Sequence, residues 1–251
     1  MEILASFGPI LRYNFDGTFI SSMKVDGYVN SFIKTGDTYW INLGMCKLAD
    51  DGRLLKVFED GTVIEKFLPF KEDWATIVEQ CFSRSGDMIS FRECFSHSVY
   101  RITDNGPVET TVINFGKHAI PPKIYGRDMR SALDALRSKG YASIEKYLEN
   151  NKFIYIYFRV IQYGKDVDNY HWLVNKNTGN SVLQKLSDDD PLWAIMENAK
   201  ILTDDDKLVF MANAQKLKES IDPFFNSANN IRDSLSEDSN PVIVSLKIND
   251  F

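Results

Sequence analysis

Asn14-Phe15-Asp16-Gly17, Phe58-Glu59-Asp60-Gly61 and Thr103-Asp104-Asn105-Gly106 decide how this chain folds. Each lies between two runs rich in β-branched and aromatic residues. Ile10–Asn14 and Thr18–Met23 flank the first, Leu54–Phe58 and Thr62–Phe67 the second, Ser98–Ile102 and Val108–Ile113 the third. Asp-Gly or Asn-Gly in that setting makes a tight hairpin, because glycine takes a positive φ without steric cost. By subtraction, the three glycines stand 44 and 45 residues apart, and the next comparable turn, Asn177-Thr178-Gly179, comes 73 residues later. Taking out about 28 residues of helical character restores a spacing of about 45. Strands repeating with that period are the mark of a β-propeller blade.

The rest of the chain fits the same plan. Thr38–Leu43, Met88–Arg92, Phe153–Val160 and Lys207–Met211 are dense strand-like runs in equivalent places, each ahead of a hairpin or a terminal strand. They predict four units plus a partial one at the start. Between residues 128 and 150, Met129, Leu133, Leu136, Ile144, Tyr147 and Leu148 recur at helical spacing. Pro121-Pro122 marks the entry to this insertion, and Ser143 is the expected cap of a second short helix within it. A further helical insertion is expected over 212–238, before the closing strand Pro241–Ile248. No linker rich in Gly or Ser interrupts the chain, so one domain over 1–251 is expected.

Composition excludes several function classes. The 251 residues carry a net charge of −6, with 44% hydrophobic and 25% charged residues. A nucleic-acid partner requires a clustered basic face, and there is none: Arg127–Lys146 also carries Asp128, Asp134 and Glu145. No apolar run is long enough for a membrane span, and the first residues lack a signal peptide's basic and apolar regions. Cys46, Cys81 and Cys94 fit neither a disulfide framework nor a zinc motif and read as buried free thiols.

No reaction is written in the motifs. His97, His118 and His171 are not at metal-ligand spacing. Asp188-Asp189-Asp190 and Asp204-Asp205-Asp206 lack the glycine and distal glutamate of a calcium loop and read as solvated turns. Neither a nucleophile elbow nor a phosphate loop occurs. Thus no catalytic residue, metal or cofactor is assigned. The candidates that remain are aromatic and cationic side chains on strands: Trp40, Arg92, Arg159, Tyr170 and Trp172. Stacking rings beside an arginine suit a glycan or a peptide, while filling of space between blades is the simpler role for the rings.

At this point the order of motifs resembles a known group. Arg12–Ile20, Ser98–Ile102, Val112–Lys117 leading to Pro121-Pro122, and Ser236–Val244 are similar to segments of the uncharacterised six-bladed β-propeller proteins of gut anaerobes, many of them lipoproteins. The resemblance implies an incomplete six-bladed propeller of about four to five four-stranded blades. It also implies a periplasmic or cell-surface location, although the chain itself shows no signal peptide, which leaves the cytoplasm open. It brings no catalytic residues. Two function classes follow. One is a non-enzymatic ligand-binding or protein-interaction scaffold at the bacterial cell envelope. The other is a metal-dependent propeller hydrolase or lyase with a site in the central channel, for which Asn42, Glu93 and His171 are the available ligands. An incomplete ring exposes sheet edges, so the expectation is a missing N-terminal segment, a homo-oligomer across the opening, or helices packed over it.

Overall fold

The computed structural model describes residues 1–5, 8–44, 52–69, 81–93, 96–121, 129–165, 167–186, 199–220, 236 and 240–251. The fold is an all-β propeller of five antiparallel blades in chain order. The first blade holds β1 (Glu2–Leu4), β2 (Ile10–Tyr13) and β3 (Phe19–Met23). The second holds β4 (Ser31–Thr35), β5 (Thr38–Asn42), β6 (Leu54–Phe58) and β7 (Val63–Phe67). In the third are β8 (Phe82–Ser85), β9 (Met88–Arg92), β10 (Ser98–Thr103) and β11 (Gly106–Val112). The fourth contains β12 (Ala142–Glu149), β13 (Phe153–Val160), β14 (Asp168–Asn175) and β15 (Ser181–Leu186). The fifth ends the chain with β16 (Ala199–Leu202), β17 (Lys207–Ala212) and β18 (Val242–Lys247). In every blade the strands pair in chain order, and the first and last have three strands among the described residues.

The recurring turns join the third and fourth strands of each full blade, and β2 to β3 in the first. At two of them glycine is required twice over. Gly61 has φ +93 and a Cβ there would lie 2.3 Å from the Lys24 carbonyl oxygen. Gly106 has φ +115 and a Cβ would meet the Phe67 ring at 2.6 Å. Both turns are pressed against the last strand of the preceding blade or its continuation, so the spacing of the motif reflects blade stacking as well as local chain reversal.

Five blades form, within the four to five expected from the turns, and the six-bladed count is not reached. The insertion at 128–150 is corrected. A helix, α1, spans Met129–Lys139, but residues from Ala142 onward are β12, the first strand of the fourth blade. The misleading period has a physical cause. β12 carries a bulge, with Ile144 opposite Phe158 and Lys146 opposite Tyr157, so Glu145 is an extra residue. A strand that slips phase in this way buries Ile144, Tyr147 and Leu148, which imitates the spacing of a helix face. Ser143 therefore pairs with Arg159 in the sheet and caps nothing. Of the second insertion, α2 (Ala214–Ser220) is helical, and most of 221–239 lies outside the described residues.

The described chain forms two compact units. In the first (1–82 and 90–141), Ile10, Met23, Tyr39, Ile41 and Val57 join the first and second blades. Trp40, Leu54, Cys81 and Phe91 join the second and third. In the second unit (83–89 and 142–251), Phe153, Tyr155 and Tyr157 pack with Leu202, Leu208 and Phe210 between the fourth and fifth blades. The second strand of the second blade thus sends alternate side chains to its two neighbours, as period-two alternation dictates. These residues are almost fully buried, and truncating one of the rings costs about 3–5 kcal/mol.

Candidate functional site

Asn42 and Arg92 end the second strands of adjacent blades. Both turn toward Cys81. The Asn42 Nδ2 donates to the Cys81 Sγ at 3.0 Å, and the Arg92 backbone N–H donates to the Cys81 carbonyl at 2.8 Å. Asn42 also accepts from the Gly44 N–H through Oδ1 at 2.9 Å, which shapes the chain as it leaves β5. With Ser31 at the start of β4, these residues form a polar knot in the first unit, each less than a tenth exposed.

A second cation borders the knot. Arg53 is fully engaged: its Nε donates to the Glu93 Oε1 at 2.7 Å, its Nη2 lies 2.5 Å from the same oxygen, and its Nη1 donates to the Pro69 carbonyl at 2.6 Å. The Arg53 side chain is 6% exposed and that of Glu93 17%. Arg92 is different. It is 2% exposed, its Nη1 makes one long bond of 3.4 Å to the Glu93 carbonyl, and its Nη2 has no hydrogen-bond partner among the described residues. A desolvated guanidinium is costly unless paired, so an incompletely bonded one marks a place to look for function.

Burial pushes the Cys81 thiol up, while the Arg92 charge and hydrogen bonds from Ser31 and Asn42 pull the other way. Burial prevails, so Cys81 stays a neutral thiol at neutral pH and packs as a small hydrophobe with Trp40, Leu54 and Phe91. Cys46 and Cys94 lie outside the described residues.

The other candidates disperse. Trp40 is 1% exposed, 5.2 Å from the Phe67 ring and capped by Lys56 at 5.7 Å, so it is part of the core between blades. Arg159, in the second unit, is paired with Glu145 at 2.8 Å. Tyr170 stacks on Phe158 at 4.9 Å, and its hydroxyl donates to Asp168 at 3.4 Å. Trp172 is half-buried on the same face of β14, between Ile156 and Leu183. His171 is buried under Tyr157 at 5.0 Å, and its Nδ1 meets the Tyr155 hydroxyl at 2.5 Å. His97 packs edge-on to Phe115, and the His118 Nδ1 meets the Gly140 carbonyl at 2.6 Å. Asp204 accepts from the Ser85 hydroxyl, and Asp205 from the Thr203 hydroxyl at 2.6 Å, so this triplet is a turn. The triplet at 188–190 lies outside the described residues. No group of three or more His, Cys, Asp or Glu is placed to hold a metal among the described residues.

Sequence reasoning singled out Arg92 but missed Arg53 and Ser31 around it, and weighed Asn42 and Glu93 only as metal ligands. The available signal was alignment of Thr38–Asn42 with Met88–Arg92, which sets an arginine where the neighbouring blade has an amide.

Comparison with known proteins agrees with this architecture. A profile described as a domain of unknown function, DUF4934, matches residues 3–247, and the chain belongs to that family. A solved structure from Bacteroides fragilis, provisionally described as an exported protein, is similar with a TM-score of 0.74 at 16% identity. That match covers 97% of this chain and 72% of the other. A weaker likeness, at TM-score 0.34 and 14% identity, is to AztD of Citrobacter koseri, covering 83% of this chain and 53% of that one. No curated protein matches.

Proposed function

We propose that the protein is a non-enzymatic binding module of the bacterial cell envelope, and that its ligand presents a carboxylate to Arg92. The observation that carries this is the Arg92 guanidinium, 2% exposed with its Nη2 unpartnered among the described residues. A planar guanidinium matches a carboxylate in two parallel hydrogen bonds. The group is closed to solvent, so the side chains over it must move for a ligand to enter. Envelope location is supported by the provisional description of the Bacteroides fragilis protein as exported. Acidic glycans and peptides with a free C-terminus both supply this chemistry.

The test is a thermal-shift and calorimetric screen pairing each acidic ligand with its neutral twin: uronate against neutral oligosaccharides, free against amidated peptides. Ligand at 100 times its dissociation constant stabilises the fold by about 2.7 kcal/mol. Only the carboxylate member should shift the melt, and Arg92→Met should abolish the shift. Equal shifts from neutral twins, or an unchanged shift in Arg92→Met, reject the reading.

A further inference from the structure

The polar knot of the first unit holds more positive charge than it neutralises. Arg53 and Arg92 bring two guanidinium groups, and Glu93 brings the one carboxylate paired there among the described residues. Arg53 takes that carboxylate through Nε and Nη2. Arg92 is left with the Glu93 carbonyl, a neutral acceptor, at 3.4 Å. An arginine keeps its charge in a protein, so its burial is not relieved by loss of a proton. What remains is one uncompensated positive charge on a residue that is 2% exposed.

A second donor stands beside it. Ser31 is 8% exposed, and its Oγ has no hydrogen-bond partner among the described residues. Ser31 pairs with Asn42 across β4 and β5, and the Asn42 Nδ2 reaches the Cys81 Sγ. Arg92 comes to the same cysteine from its own blade, through its backbone N–H on the Cys81 carbonyl. The Ser31 hydroxyl and the Arg92 charge both favour an ionised Cys81, but burial outweighs them. The sulfur therefore does not supply the missing negative charge, and against a neutral thiol the Ser31 hydroxyl makes no bond. A guanidinium N–H and a hydroxyl are left over on the two sides of one sulfur.

We infer that a monovalent inorganic anion of the halide class, such as chloride, bridges the Arg92 Nη2 and the Ser31 Oγ. One negative charge balances the surplus, and a monatomic ion accepts hydrogen bonds from any direction. A water molecule would satisfy the donors and leave the charge. A halide is also smaller than any carboxylate ligand, so the closed site has to open less to admit it. The inference rests on the reading above in one respect, that Arg92 binds anions, and it makes the halide a competitor of the carboxylate.

Thermal melts at constant ionic strength test it, with sodium chloride or bromide replacing sodium methanesulfonate, whose anion is monovalent and bulkier. The parent should melt higher as halide replaces methanesulfonate, and the rise should saturate. An anion at 100 times its dissociation constant raises the midpoint of a chain this size by about 5–10 °C. Arg92→Met should melt near the parent without halide and lose the halide response. Ser31→Ala, the milder change, should keep the response but need several-fold more halide. Anomalous scattering from crystals grown in bromide should place the ion within hydrogen-bonding distance of the Arg92 Nη2. A midpoint that ignores halide, an equal response in Arg92→Met, or bromide found only at the surface as an adventitious ion overturns the inference. The two readings separate cleanly. A halide response with no shift from any acidic ligand upholds the halide site and rejects the carboxylate ligand, and the reverse result overturns the halide site alone.

Discussion

Asn150 and Arg92 are equally hidden, and the contrast between them separates a structural polar group from a candidate functional one. Asn150 is 0% exposed and spends its whole side-chain capacity. Its Nδ2 donates to the Thr203 carbonyl at 2.8 Å and to Asp206 at 3.0 Å, and its Oδ1 accepts from the Lys152 and Phe153 N–H groups at 2.9 and 2.7 Å. It ties the β12–β13 turn to the turn before β17. The Arg92 Nη1 makes one long bond, and its Nη2 makes none among the described residues. Where every valence is filled, the neighbours explain the residue. Where one is left over, they do not.

Four substitutions press on that contrast. Asn150→Ala has the largest expected effect, a loss of about 3 kcal/mol in chemical denaturation, because several buried partners are orphaned together. Arg53→Met comes next at about 2–3 kcal/mol, since it leaves Glu93 and the Pro69 carbonyl without their donor. Arg92→Met should change stability by less than about 1 kcal/mol while removing ligand response, as replacing an incompletely bonded buried charge by an apolar chain is nearly neutral. A loss as large as that of Asn150→Ala would place Arg92 among the structural groups and erase the distinction. The smallest effect is expected at the exposed turn. Asp205 is held down at about 2, first by its hydrogen bond with Lys207 and then by Thr203. A depressed carboxylate stabilises above its unfolded value and loses that contribution as pH falls through the folded one. Asp205→Asn should therefore melt slightly below the parent at about pH 5, and the gap should close near pH 2.

Much of the architecture was legible in the chain because its signals are local. A positive-φ glycine between β-branched runs needs no tertiary information, and the second strands of the second, third and fourth blades stood out because they are buried on both faces and so read as continuous apolar runs. The first strands were harder. Phe82-Ser83-Arg84-Ser85 and Ala199-Lys200-Ile201-Leu202 are four residues each, and half-polar, too short to show a period. β12 was missed for a different reason, since its bulge disguises alternation as helical spacing. Arg92 could be named as a cation on a strand, but nothing in sequence distinguished it from Arg159, whose partner Glu145 comes from the bulge in the neighbouring strand.

The sequence alone determined the repeat and the turn chemistry, because these depend on residue identity and spacing within a few positions. Only the tertiary structure decided that Trp40 is core and that Arg53 is paired while the Arg92 Nη2 has no partner among the described residues. Those outcomes depend on which strands meet across 40 or more residues of chain, as Arg53 meets Glu93. Desolvation and hydrogen-bond closure are properties of that meeting and of no single residue.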